Sequence, residues 1–182
     1  MEKVKKLVLG SLLLATLLVV ERLISIQTPI LRISFAYVPL ILSGILLGPG
    51  WSTAIAVLGD LLGMLLFPKG AYFAGYTISA ALTGLVYGLF LYKTITISNR
   101  KFVVRLIISN LMVLIFISTG LTSLWIAITV KKAFVALLPL RVFSAAIRFP
   151  VETGTMFLLK VFLARPVNKY LYDAESVSAG EK

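Results

Sequence analysis

Residues 103–130 read VVRLIISNLMVLIFISTGLTSLWIAITV, the longest apolar run of the chain. Its only charged residue is Arg105, near the beginning of the run. About 20 residues of helix are needed to cross about 30 Å of hydrocarbon, so this run is long enough to span a bilayer. The run therefore predicts a transmembrane helix.

Further apolar runs lie on both sides of this one, at about 4–24, 36–47, 51–67, 74–92 and 138–164. The run at 36–47 rises only about 18 Å as a helix, so the segment before it must complete the crossing. Irregular backbone at membrane depth is tolerated only inside the protein or beside a water-filled cavity. Residues 27–37 are therefore a first indication of a ligand site.

The composition agrees with an integral membrane protein. Hydrophobic residues make up 59% of the 182 residues and charged residues 14%, too few polar groups for a water-exposed surface. The first run is interpreted as a retained span, because Glu21 and Arg22 follow it without a small-residue cleavage site. The predicted fold is a single all-α membrane domain over 1–182 with six transmembrane helices and a polar tail at 165–182.

The net charge of +11 is explained by topology. Lys and Arg gather near the N-terminus, in the 93–105 loop and near the C-terminus, and six spans place these three regions on one side. The positive-inside rule then predicts that both termini are cytoplasmic. No motif for DNA or RNA binding accompanies the charge, so no nucleic-acid partner is expected.

Histidine and cysteine are both absent. Their absence removes the usual general base, the commonest metal ligand and all thiol chemistry, so neither a catalytic nor a metal site is expected. The sequence also lacks the G-x-x-x-x-G-K-[ST], H-E-x-x-H and G-x-S-x-G patterns. The chain is predicted not to be an enzyme and to need no cofactor; any ATP hydrolysis is expected in partner subunits.

Charged residues inside the spans are candidates for function. Arg148 and Glu152 lie four residues apart on one helix face, and Arg141 lies on the same face seven residues before Arg148. Ionisable residues in a span normally face the bundle interior and mark function, although Arg148 and Glu152 can also form a purely structural pair. Asp60 needs a partner too, either within the protein or near a ligand.

Aromatic residues surround a lysine in the segment before the fourth run. Tyr72, Phe73 and Tyr76 follow Lys69 closely. They are typical of an aromatic belt at the membrane interface, and they equally suit a flat, anionic aromatic ligand.

Several segments together resemble a known family: RISFAYVP (32–39), GP (48–49), LGDLLG (58–63), FPKGAYFAGYT (67–77) and GLVYG (84–88). They resemble the substrate-binding S-components of energy-coupling factor (ECF) vitamin transporters, and most of all the folate-family members. The resemblance covers roughly residues 5–165. It implies a six-helix S-component-like bundle in the bacterial cell membrane, with a ligand pocket near the outer face.

The resemblance also implies partners and a mechanism. It implies assembly with a membrane scaffold subunit and two ATPase subunits, and reorientation of the S-component in the bilayer to deliver its ligand inward. An A-x-x-x-A motif on the first helix forms the family's contact surface, and its match here is Ser11 to Ala15, with serine in the first place. On residue spacing alone, these small residues can equally serve packing within the bundle.

The function expected from the resemblance is high-affinity capture of folate. Folate has a flat pterin, an aminobenzoyl ring and two carboxylates, which call for aromatic faces, an acceptor and Arg or Lys. The predicted ligand-binding residues are Gln27, Arg32, Phe35, Tyr37, Lys69, Tyr72, Phe73, Tyr76, Arg141, Arg148 and Glu152. The alternatives are an S-component for another vitamin or precursor, and a non-transport membrane enzyme or scaffold protein.

Overall fold

The computed structural model describes residues 2–22, 26–27, 32–68, 72–94, 98–130, 139 and 142–161. Its helices are α1 (Glu2–Arg22), α2 (Tyr37–Leu47), α3 (Pro49–Leu66), α4 (Ala74–Leu91), α5 and α6 (Val142–Val161). Helix α5 comprises three continuous parts, Asn99–Met112, Val113–Leu121 and Thr122–Val130. The predicted six-helix bundle is confirmed, and within the described ranges α3, α4, α5 and α6 are long and apolar enough to span a membrane.

Helix α2 is short because residues 32–36, directly before it, are not helical. Strands β1 (Ile26–Gln27) and β2 (Arg32–Ile33) pair antiparallel, with Gln27 opposite Arg32. This pairing satisfies backbone hydrogen bonds locally, which a non-helical segment at membrane depth requires. The sequence predicted an irregular segment here but not the strand pair.

A single glycine separates α2 from α3. Gly48 has φ of 90°, a conformation that favours glycine, and Pro49 follows as the first residue of α3. The reversal brings Ser43 of α2 beside Ser52 of α3, with their hydroxyl oxygens 3.1 Å apart.

Small residues let α4 approach α3 at backbone distance. A Cβ added to Gly84 would lie 2.5 Å from the carbonyl oxygen of Ser52. At the other end of the contact, the Thr77 hydroxyl donates to Asp60 of α3 over 2.7 Å. Because low numbers of α3 meet high numbers of α4, the two helices run antiparallel.

Helix α5 has an unusual middle part. Val113–Leu121 is a π-helix, and at its end the backbone N–H and the hydroxyl of Thr122 both donate to the carbonyl of Ile117, five residues earlier. π-Helical turns are rare and occur mostly at functional sites. Here the π segment lies beside α6, since Arg148 reaches Ser118 across the interface.

The alternating helix directions collect six helix ends on one side of the bundle: the C-terminal ends of α1, α3 and α5, and the N-terminal ends of α2, α4 and α6. We call this side the site end. The core below it contains Ile41, Tyr87, Leu91, Phe102 and Leu106, all at most 2% exposed. The core fixes the helices rigidly, so polar side chains nearer the site end keep defined positions.

Candidate ligand-binding site

An ion pair on α6 is the most polar feature of the site. The guanidinium of Arg148 donates through Nε and Nη2 to Oε1 of Glu152, at 3.1 Å each. The Glu152 side chain is 5% exposed and that of Arg148 32%, so the carboxylate is buried and the guanidinium reaches outward. The i, i+4 spacing that the sequence showed places both groups on one face.

Helix α5 completes the surroundings of this pair. Arg148 Nη1 lies 3.4 Å from the hydroxyl oxygen of Ser118, in the π segment. Further into the bundle, the Asn110 side-chain amide donates to the Thr153 hydroxyl over 3.2 Å. Asn110 is fully buried. Helices α5 and α6 thus share two successive layers of polar contacts instead of a uniformly apolar interface.

Tyr37, the first residue of α2, approaches the same pair. It lies within electrostatic range of Arg148 and Glu152 and near Thr155. Its buried hydroxyl nevertheless has no partner at hydrogen-bonding geometry within the described ranges. The ring of Phe35 packs against that of Tyr37, with centroids 6.0 Å apart.

Two further buried side-chain oxygens of the described residues lack a hydrogen-bond partner in the same way. Asn110 Oδ1 and Ser123 Oγ are buried without a hydrogen-bond partner in the part of the chain that the structure describes. Buried polar atoms are almost always satisfied, so unsatisfied ones call for an explanation. Together with the Tyr37 hydroxyl, they are three candidate groups for contact with a polar ligand.

An aromatic cluster forms a second region of the site end. Phe73 contacts Tyr76 edge-on, with centroids 5.9 Å apart, and Trp125 of α5 at 5.5 Å. The Trp125 indole N–H donates to the hydroxyl of Ser79 over 3.1 Å, which fixes the ring. We call Phe73, Tyr76 and Trp125 the aromatic wall, because their faces suit stacking with a flat ligand.

The α3–α4 connection is tied to α3 by a chain of hydroxyl groups. The Tyr72 hydroxyl lies 3.0 Å from that of Thr77, which donates to Asp60 Oδ2 over 2.7 Å. Asp60 therefore has a hydrogen-bonding partner within the protein, one of the two roles that the sequence left open.

The sequence matches one family over most of its length. The family profile described as "ECF-type riboflavin transporter, S component" matches residues 1–161. The chain belongs to this S-component family. Membership confirms the predicted resemblance, the membrane location and the prediction that the chain is a transport component and not an enzyme.

Individual relatives of this S component are similar over most of their length. A folate transporter FolT of Clostridium novyi strain NT is 34% identical over 158 residues, which covers 86% of this chain and 88% of the relative. A folate transporter FolT of Leuconostoc mesenteroides subsp. mesenteroides is 31% identical over 160 residues, covering 85% and 84%. A solved structure described as "Crystal structure of FolT bound with folic acid" superposes with a TM-score of 0.76 at 33% identity, covering 86% of this chain and 92% of that one.

The predicted ligand residues of this S component fall into three groups. The structure brings Phe35, Tyr37, Arg148 and Glu152 together in one region, and Tyr72, Phe73 and Tyr76 in another. Gln27 and Arg32 face each other in backbone register at the β pair. Lys69 and Arg141 lie outside the described residues.

The predicted partner contact lies on the outer face of α1. Ser11 and Ala15 are both exposed, whereas Leu13 and Leu17 of the same helix are buried. The Ser11 hydroxyl donates to the carbonyl of Leu7, four residues earlier, so it is satisfied within the helix. Ser11 and Ala15 therefore lie on the exposed side of α1.

Several site residues were not predicted from the sequence: Asn110, Ser118, Ser123, Trp125 and Thr153. All but Thr153 lie in the 103–130 run, where they resemble the occasional polar or aromatic residue of an ordinary span. Polar residues within a span are a usable signal, because they normally face the bundle interior. Which of them face the site depends on helix pairing, and the sequence does not show that pairing.

Proposed function

We propose that this S component binds folate at the site end and delivers it inward together with a membrane scaffold subunit and two ATPase subunits. The observation that carries the proposal is the superposition on FolT bound with folic acid, at 33% identity over 92% of that chain. Both FolT relatives point to the same vitamin. The chain itself has no ATP-binding pattern, so the energy for release comes from the partners.

The polar region fits the pterin better than the glutamate tail of folate. Arg148 already shares its charge with Glu152, so the pair is close to neutral and attracts a dianionic tail only weakly. Arg148 is a hydrogen-bond donor and Glu152 an acceptor beside it. This arrangement matches the aminopyrimidinone edge of a pterin, which carries N–H groups next to a carbonyl oxygen. Glu152 receives the pterin N–H groups and Arg148 donates to the pterin oxygen.

The aromatic wall provides stacking for the rings of the ligand. Phe73 contacts both Tyr76 and Trp125, and Phe35 adds a further ring beside Tyr37. Aromatic pairs contribute about 0.5–1.5 kcal/mol each beyond the area they bury. The carboxylates of the tail are assigned to the cations Arg32, Lys69 and Arg141.

The orientation of the bundle follows from its charges. Lys3, Lys5 and Lys6 begin α1, and Arg100 and Lys101 lie in the first turn of α5, both at the end opposite the site end. The positive-inside rule places that end in the cytoplasm. The site end then faces outward, as capture of an external nutrient requires.

A binding titration tests the proposal. Folic acid is added to the purified protein in detergent, and the quenching of tryptophan fluorescence and the heat of binding are both followed. Saturable binding of one folic acid per protein is expected, with Arg148→Ala and Glu152→Gln each weakening it. Riboflavin is titrated in parallel because the family profile carries its name. Tight binding of riboflavin without binding of folic acid would overturn the proposal.

A further inference from the structure

Asp60 is a carboxylate inside a membrane-spanning helix. Its partner is the Thr77 hydroxyl of α4, at 2.7 Å, and the Tyr72 hydroxyl lies 3.0 Å further along. An ionised carboxylate only accepts hydrogen bonds, so Thr77 must give its proton to Asp60. Tyr72 then donates to Thr77. The three side chains thus form a chain of hydrogen bonds that ends on the Asp60 carboxylate. A hydrogen bond to a charged acceptor is stronger than one between neutral groups.

Arg22 holds the other side of the same connection. This last residue of α1 donates from Nη1 to the carbonyl oxygen of Phe67 over 3.3 Å. Phe67 follows the last turn of α3, where carbonyl groups lack helical partners and a cation is favourable. The guanidinium lies directly on Gly63, where an added Cβ would be 2.5 Å from Nη2.

The two charged groups meet α3 on adjacent turns: Asp60 belongs to this helix, and Arg22 of α1 lies against Gly63. Asp60 and Gly63 are three residues apart, so they share one helix face. Arg22 holds Phe67, where the connection leaves α3. Asp60 holds Tyr72 through Thr77, just before α4 begins. Phe73, the next residue after Tyr72, is the part of the aromatic wall that contacts both Tyr76 and Trp125.

We propose that Asp60 and Arg22 are positioning residues that hold the two ends of the α3–α4 connection and thereby place Phe73 in the aromatic wall. They set the affinity for a flat aromatic ligand without touching it. The inference rests on the proposed function only for the identity of the ligand. The placement of Phe73 itself is a property of the protein without ligand.

The placement of Phe73 can be followed by the fluorescence of a single tryptophan. The chain contains two, so Trp51→Phe leaves Trp125, whose ring contacts Phe73, as the only reporter. Thr77→Val in this background removes the hydroxyl group at nearly constant volume, and Thr77→Ser retains it. Thr53→Val is the matched control, because the Thr53 hydroxyl donates to the Pro49 carbonyl of its own helix, at the opposite end of α3.

The expected result has two parts. Without ligand, Thr77→Val shifts the Trp125 emission and increases its quenching by acrylamide, whereas Thr77→Ser and Thr53→Val leave both unchanged. With folic acid, Thr77→Val raises Kd about tenfold, because Phe73 is then no longer held in place before the ligand binds. Tyr72→Phe has a similar effect, and its combination with Thr77→Val adds little, because both break one chain.

The two proposals fail separately. If Trp125 emission, quenching and folic acid affinity are all unchanged in both Thr77→Val and Tyr72→Phe, the positioning role is wrong while folate binding stands. If the parent protein does not bind folic acid but Trp125 responds as described, the positioning role stands and the proposed ligand is wrong. Tyr72 is exposed, so its change to Phe keeps the test valid even if Thr77→Val reduces folding.

Discussion

Two donor groups of Arg148, Nε and Nη2, converge on a single oxygen of Glu152, at 3.1 Å each. This geometry leaves the second carboxylate oxygen and part of the guanidinium for other contacts. The carboxylate is the more deeply buried partner, with 5% of its side chain exposed against 32% for Arg148. A buried carboxylate such as that of Glu152 is stable only beside its cationic partner, and the loss of stability without Arg148 can be measured.

Removing only Arg148 should destabilise the bundle more than removing both partners. Arg148→Ala leaves a buried carboxylate unpaired, a loss of about 1–2 kcal/mol, below the roughly 3–5 kcal/mol of a fully enclosed pair because Arg148 is partly exposed. Arg148→Ala/Glu152→Ala removes both charges and should recover most of the Tm in detergent. Both variants should bind folic acid more weakly than the parent protein.

The double variant separates a structural role from a binding role. If it recovers both the Tm and the affinity for folic acid, the pair only satisfies itself and the proposed contact with the pterin is wrong. Recovery of the Tm without recovery of binding is the expected result.

The Arg148–Glu152 pair was predictable because it depends on spacing within one helix. The six helices were predictable for a similar reason, since apolar run length determines which segments can cross a bilayer. The partners across helices were not. Ser118 lies 30 residues from Arg148, and Trp125 lies 46 residues from Ser79.

The π segment is a second reason why the sequence could not predict the site. A helical projection at 3.6 residues per turn assigns wrong faces to residues beyond Val113, because the winding changes there. Nothing in the composition of VLIFISTGL marks the change. Ser118 and Trp125 both lie at or beyond this point, and both were missed.

A bulkier residue at position 75 should disturb the aromatic wall directly. A Cβ on Gly75 would meet the Phe73 ring and lie 2.6 Å from the Trp125 ring, so Gly75→Ala must displace one of them. Gly154→Ala is the matched control, because nothing lies within 4 Å of its added Cβ. Folic acid affinity should fall about tenfold in Gly75→Ala, by titration in detergent, and stay unchanged in Gly154→Ala. Equal affinities would exclude the wall from the site.

Changes on the outer face of α1 should separate binding from transport. Ala15→Leu places a large side chain on the exposed face of α1 that we propose as the contact with the scaffold subunit. Folic acid binding by the isolated chain should be unchanged. Co-purification with the scaffold subunit and uptake of labelled folate by cells should both decrease, because close helix packing needs small residues.

Ala54→Leu provides the comparison for this experiment. Ala54 is also a small, exposed residue of a helix, but it belongs to α3. Normal uptake with Ala54→Leu and impaired uptake with Ala15→Leu would locate the docking surface on α1. Impairment by both would show only that the bilayer-facing surface tolerates no added bulk.

The contact between Arg22 and Gly63 gives a test in which stability and affinity should diverge. Gly63→Ala adds a methyl group where the guanidinium lies, 2.7 Å from its Nε. A long side chain can move aside at little cost, and alanine favours the helix over glycine by roughly 0.5–1 kcal/mol, so the Tm should hardly change. The displaced Arg22 loses the Phe67 carbonyl, however, and folic acid should bind several-fold more weakly.

Gly50→Ala, in the first turn of α3 with nothing within 4 Å of its added Cβ, should leave the affinity intact. Gly63→Ala with full affinity would mean that Arg22 caps α3 without influencing the ligand site.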